Sequence, residues 1–309
     1  MIAELRQPEA NVRGLHRMLC EQIDEATKQL AGKPVSAKGI HASRKSIQRA
    51  RATLRLMRDA LPAATYRRTN LALRDAARPL SAMRDARILL DALERLGKLY
   101  GPAARRCIPA AFRRTLERGH ADVRRTTFDS AKASHPSGKK LLTIRQRVAR
   151  WRISAGGWSE IGEGLKRVYR QGRIAMKDAR KTPSAGNLHE WRKQAKYLWH
   201  QLQLLEPIRP RPIGELAARA HKLSDYLGDD HDLAVLREKA LAHRDAFPGP
   251  GGASALLTLI DRRQTQLRDK AFRVGGRIYA EKPAAFAARL GRYWRRWQRE
   301  KTTPRSKAA

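Results

Sequence analysis

Two stretches of this sequence carry the same residue types at the same spacing. One reads IHASRKSIQRARATLRL from Ile40 to Leu56, the other LHEWRKQAKYLWHQLQL from Leu188 to Leu204. Each sets a histidine after an apolar residue and an Arg-Lys pair just beyond it: His41 with Arg44 and Lys45, His189 with Arg192 and Lys193. Guanidinium, ammonium and imidazole N–H groups donate hydrogen bonds to oxyanions, and arginine's planar fork matches phosphate oxygens. The chemistry within reach is recognition of a multivalent anion. Two acids, Asp85 and Asp232, follow the stretches at equivalent places. They can cap helices after breaks near Ser81 and Gly228, or pin neighbouring Arg and Lys side chains. The run GDDHD, Gly228 to Asp232, also mixes the His and Asp ligands of divalent-metal phosphohydrolases. Such a centre needs further His and Asp ligands spread through the chain, and capping accounts for these acids. The histidines serve better as phosphate donors than as catalysts, so neither a metal nor a catalytic residue is assigned.

Helical periodicity runs through nearly the whole chain, and no run of alternating β-branched residues interrupts it. Along a helix from His41, the side chains of His41, Arg44, Gln48, Arg51, Arg55 and Arg58 fall within one arc of about 100°. Ile40, Ile47, Ala50, Leu54, Met57 and Leu61 occupy the adjoining arc, so the basic stripe borders the apolar face. An ordinary solvated stripe sits opposite that face. In the second copy His189, Arg192, Lys196, Trp199 and Gln203 border Leu188, Trp191, Ala195, Leu198, Leu202 and Leu205. If the two helices pack by their apolar faces, the cations point along grooves or a shared channel. A rim of Arg and Lys stems covering a core edge would look the same in one copy; two copies favour a site. Breakers at 32–34, 61–62, 100–102, 135–138, 155–157, 182–187, 206–214 and 247–252 predict eight or more helices. The basic stretch 301–309 reads as a frayed tail.

The two histidine stretches align at an offset of 148, and LSAMRDARILL (80–90) aligns with LGDDHDLAVLR (227–237) at 147. Two matches at nearly one offset predict two related helical halves, 1–155 and 156–309, with His41 overlaying His189. Across 309 residues, 66 Lys plus Arg against 29 Asp plus Glu give a net charge of +37. That self-repulsion favours an anionic partner, although arginine dispersed by GC-rich coding would also raise the count. Cys20 and Cys107 have no CxxC spacing, which argues against a disulfide framework or zinc site. The absence of a signal-like or membrane-length apolar run points to the cytoplasm.

IHASRKSIQRAR and LHEWRKQAKYLW resemble the two signature helices of the CHAD domain family. LSAMRD, LGDDHD, GLKRVYRQGR (Gly164 to Arg173) and AEKPAAFAARL (Ala280 to Leu290) resemble its other elements, in order and over nearly the whole chain. The resemblance implies an all-α fold of two pseudo-twofold-related four-helix bundles around a basic central channel. It further implies non-catalytic binding of inorganic polyphosphate, often at polyphosphate granules, with no cofactor. The candidate polyphosphate ligands are His41, Arg44, Lys45, Arg49, Arg51, Arg55 and Arg58 in the first half. In the second they are Lys166, Arg170, Arg173, His189, Arg192, Lys193, Lys196, Lys222 and Lys282. Asp85 and Asp232 are orienting or capping acids. Gln48 and Trp199 depart from the pattern, standing where the family usually has basic residues. A nucleic-acid-binding protein would explain the charge as well, but the stripes offer few aromatics for base stacking and no zinc-finger, RNA-recognition or basic-zipper signature occurs. A metal-dependent phosphohydrolase centred on GDDHD is the third reading.

Overall fold

Side-chain caps and breakers divide the chain into helices. A computed structural model describes residues 11–32, 35–129, 135–248 and 251–300, without the side chains of 82–85, 103, 124 and 126–129. Its described residues form twelve α-helices and no strand. They are α1 (Val12–Lys28), α2 (Ala37–Leu56), α3 (Ala63–Ala77), α4 (Ala82–Tyr100), α5 (Pro102–Cys107) and α6 (Ala110–Asp129). There follow α7 (Pro136–Ala149), α8 (Trp158–Lys181), α9 (Ala185–Leu205), α10 (Pro210–Ala242), α11 (Ser254–Ile278) and α12 (Pro283–Arg299). The fold is all-α, as the periodicity predicts. None of these helices is long and apolar enough to cross a membrane.

The two histidine helices start in the same way. Ser36 caps α2 at φ −74°, ψ 155°, its hydroxyl accepting from the Gly39 N–H at 3.0 Å. Ser184 caps α9 at φ −73°, ψ 156°, accepting from the Asn187 N–H at 3.2 Å. The serine oxygen satisfies one of the amides that the first helical turn leaves without a partner. Each of α2 and α9 ends in a short 3-10 turn, at Arg58–Ala60 and Glu206–Ile208.

Beyond that point the order diverges. Pro79 lacks the backbone N–H that would continue the hydrogen-bond ladder, so α3 stops at Ala77 and α4 starts anew at Ala82. The aligned residue 147 positions later is Tyr226, and α10 runs unbroken for 33 residues. The break expected near Gly228 is therefore absent. Asp232 lies in the interior of α10 and cannot cap it, which overturns the capping role for this residue.

Two apolar cores result, and each draws on both sides of residue 155. The larger gathers Leu15, Ile47 and Leu54 with Trp191, Leu198 and Trp294. The smaller gathers Leu93 and Phe112 with Leu236 and Ile260. Helix α10 crosses from one to the other: Leu223 and Leu227 belong to the first, Leu233 and Leu236 to the second. Helix α2 packs on α1, α3, α8 and α9, so it lies central to the larger core. Both cysteines are free thiols. The basic tail read at 301–309 lies outside the described residues.

Candidate anion-binding site

The apolar arc of α2 is buried as the wheel predicts: Ile40, Ile47, Ala50, Leu54 and Met57 belong to the larger core, while Leu61 is partly buried beside it. On α9, Leu188, Trp191, Ala195, Leu198, Leu202 and Leu205 are likewise buried. The helices pack directly together, and the Gln201 side-chain amide donates to the Ala52 carbonyl at 3.3 Å. Burying these arcs leaves the stripe residues at the edge of the contact, where clefts open.

One of these is a cavity of about 1300 Å³ lined from α2, α4, α6, α9 and α10. His41 and Arg44 enter it from α2, Arg192 and Lys196 from α9. Arg87, Asp91 and Arg95 face it from α4, His120 and Arg125 from α6, and Asp225, Asp229 and Asp232 from α10. The lining is thus mixed in charge, with cations in excess. Its carboxylates hold arginines: Arg95 Nη2 donates to Asp232 Oδ2 at 3.1 Å and lies 3.7 Å from Asp229, while Arg87 Nε donates to Asp91 at 2.9 Å. Arg44 donates to the Ser81 hydroxyl. Of the two roles open to Asp232 in the sequence, its contact here is with an arginine, Arg95. Burial raises the Asp225 carboxyl above its usual range, against the lowering influence of His221. The His189 ring packs against that of His231 at a tilt of 49°, with centroids 4.8 Å apart. Desolvation, then the Arg192 and Lys193 charges, hold its imidazole below the ordinary value.

A second cleft, of about 540 Å³, opens between α2 and α3 and shares Arg44 with the cavity. Arg44, Arg51, Arg74 and Arg78 line it with Gln48 and Ile47, and among the described residues its lining includes no carboxylate. Arg51 Nε donates to Asn70 Oδ1 at 3.2 Å. Burial lowers the Arg51 guanidinium, Tyr197 partly offsetting that effect and Arg55 adding to it. Arg74 is paired with neighbouring Asp75 at 2.9 Å. A third recess, of about 260 Å³, holds Arg55, Arg58 and Lys193.

The remaining predicted ligands lie elsewhere. Arg49 is partly buried, which lowers its guanidinium; with Lys45 and Lys196 it acts on buried His200, whose imidazole burial pushes down to about 3. Lys166 is paired with Glu163 at 2.6 Å. Arg170 is exposed, and Arg173 Nη1 donates to the Glu281 carbonyl at 3.3 Å. The Lys222 ammonium lies 6.0 Å from the Tyr226 ring, and Lys282 is exposed at the start of α12. The linings of the three clefts do not include these residues. The side chain of Asp85 lies outside the described residues. Trp199, at the departure from the basic pattern, stacks on His221 at 3.9 Å and His200 at 4.4 Å.

Sequence reasoning missed Arg74, Arg78, Arg87, Asp91, Arg95, His120, Arg125 and Arg167. A signal existed for α4, since Arg87, Asp91 and Arg95 recur every fourth residue on one face. The GDDHD run diverges: Asp230 accepts from Arg268 at 2.8 Å, His231 faces His189, and Asp232 faces Arg95. Among the described residues no group of three or more His, Cys, Asp or Glu could hold a metal ion.

Comparison with known proteins follows the same lines. A sequence model of the CHAD domain matches residues 17–241, from α1 to the end of α10. Among solved structures, PptA from Streptomyces chartreusis superposes with a TM-score of 0.59 at 16% sequence identity. The match covers 88% of this chain and 100% of that one, and at this identity it is a likeness of fold. No curated protein matches the sequence.

Proposed function

Because the chain belongs to the CHAD domain family, we propose that it binds inorganic polyphosphate in the clefts along α2 and does not turn it over. The observation that carries this reading is the α2–α3 cleft, where Arg44, Arg51, Arg74 and Arg78 face one space with no carboxylate among the described lining residues. Like charges about 4 Å apart repel by roughly 1 kcal/mol in water and about fourfold more at an effective dielectric of 20. A multivalent anion removes that repulsion and accepts charge-assisted hydrogen bonds from the same groups. Arg44 joins this cleft to the large cavity, where Arg192 and Lys196 supply the second helix's cations. The cavity carboxylates fit the same role, holding Arg87 and Arg95 in place until phosphate arrives. Binding in this manner would place the protein on polyphosphate granules in the cytoplasm.

The matching serine caps and 3-10 turns of α2 and α9 support a further element of the reading, that residues 1–155 and 156–309 are halves related by a pseudo-twofold axis with His41 and His189 equivalent. Against nucleic acid, among the described residues the linings of the two larger clefts include no Phe, Tyr or Trp on which a base could stack. Long-chain polyphosphate, single-stranded RNA and duplex DNA competed against each other at physiological salt test the assignment. Polyphosphate should win per phosphate, and no orthophosphate should be released with or without added Mg²⁺. Equal affinity per phosphate would sink the polyphosphate assignment, and Mg²⁺-dependent release abolished by Asp232→Asn would make the protein a phosphohydrolase.

A further inference from the structure

We propose that the recess at the C-terminal end of α2 is a second phosphate-binding site, distinct from the large cavity, and that chains long enough to occupy both are held more tightly than short ones. This rests on the polyphosphate reading and adds a length preference to it. The recess takes Arg55 and Arg58 from the end of α2, Arg167 from α8 and Lys193 from α9. Among the described residues one carboxylate, Glu190, shares the lining, paired with Lys193 at 2.5 Å, so cations remain in excess there. The site is built by close helix contact: a Cβ on Gly164 would sit 2.1 Å from the Leu56 carbonyl oxygen, so only glycine lets α8 approach α2 this closely. Arg167 is then fixed by two hydrogen bonds to Asp59, at 2.9 and 2.8 Å, and Arg58 lies 4.9 Å from the Tyr66 ring.

Arg44 and Arg55 are separated by about 16 Å along α2 at 1.5 Å per residue, and Arg58 lies in the 3-10 turn just beyond, so no small anion touches both ends. The stretch between is continuous. Arg51 and Arg55 donate to the same Asn70 Oδ1, at 3.2 and 2.7 Å, and both lie over the Tyr197 ring, at 5.9 and 4.0 Å. A chain anchored in the cavity therefore meets cations along the whole way to the recess, and its second engagement is intramolecular, raising avidity without any new contact.

The test measures tripolyphosphate and long-chain polyphosphate binding, by calorimetry, to the wild-type chain, to Arg58→Gln with Lys193→Gln, and to a charge-matched control, Arg292→Gln with Arg295→Gln. All four substituted residues are exposed, and Arg58→Glu alone provides an independent recess variant. The recess variants should bind one tripolyphosphate fewer per chain and lose at least tenfold of the ratio of long- to short-chain affinity, while the control keeps both. An unchanged ratio and stoichiometry, or an equal loss in the control, would overturn the second site and leave polyphosphate binding standing. Failure of the wild-type chain to bind either anion would remove the underlying reading, and this one with it.

Discussion

His200 shows how a single residue reports the electrostatics of this surface. It is 2% exposed, its Nδ1 lies 3.2 Å from Gln203 Oε1, and Arg49, Lys196 and Lys45 add to the burial that depresses it to about 3. A histidine lowered in the folded state binds its proton more readily when unfolded. Its contribution is therefore complete above the unfolded value near 6.5 and declines as pH falls toward 3. Between about pH 6.5 and 4.5 the loss should be on the order of 2 kcal/mol. Urea unfolding across that window should show a flatter acid decline for His200→Gln than for wild type; parallel declines would contradict a neutral, buried imidazole. The sequence made the stripe residues His41, Arg44, Arg51, Arg192 and Lys196 legible, because their angular position beside an apolar arc is a local property of one helix. Arg74, Arg78 and Arg95 were not legible as site residues. On their own helices they read as solvated charges, and only the approach of α3 to α2 and α4 to α10 gives them a common space.

At the scale of the element, breakers predicted most helix boundaries, because caps and prolines act within a few residues. The exception is instructive. A break near Gly228 is absent because Pro79 is what interrupts the first copy, and its counterpart in the aligned stretch, Tyr226, has the backbone N–H that a helix needs and packs partly buried against both cores. Two equivalent caps give this scale its prediction. Ser36→Ala and Ser184→Ala each remove one hydroxyl that accepts an N3 amide, and each should cost about 1 kcal/mol in urea unfolding. A loss from one and none from the other would argue that the two helices are not held in equivalent settings.

For the whole molecule, the legible part was the fold class and the excess of charge. What stayed hidden is that both apolar cores draw on both halves and that the main cavity opens where α10 passes between them, because no periodicity within one helix records which distant helix it meets. Net charge alone would bind any polyanion, and its contribution is salt-dependent and spread over the surface. The central claim is narrower: defined cations in clefts do the binding. Replacing Arg44, Arg51, Arg192 and Lys196 by Gln removes as much charge as replacing exposed Arg262, Arg292, Arg295 and Arg299. Fluorescence anisotropy of labelled polyphosphate at several salt concentrations, with circular dichroism to verify folding, separates the two. Charged hydrogen bonds contribute roughly 1.5–3 kcal/mol each before non-additivity, and a tenfold change in affinity corresponds to about 1.4 kcal/mol. The cleft variant should therefore bind at least a hundredfold more weakly than the surface variant, with a shallower salt dependence than wild type. Equal losses in two folded proteins would contradict the account and assign binding to bulk charge.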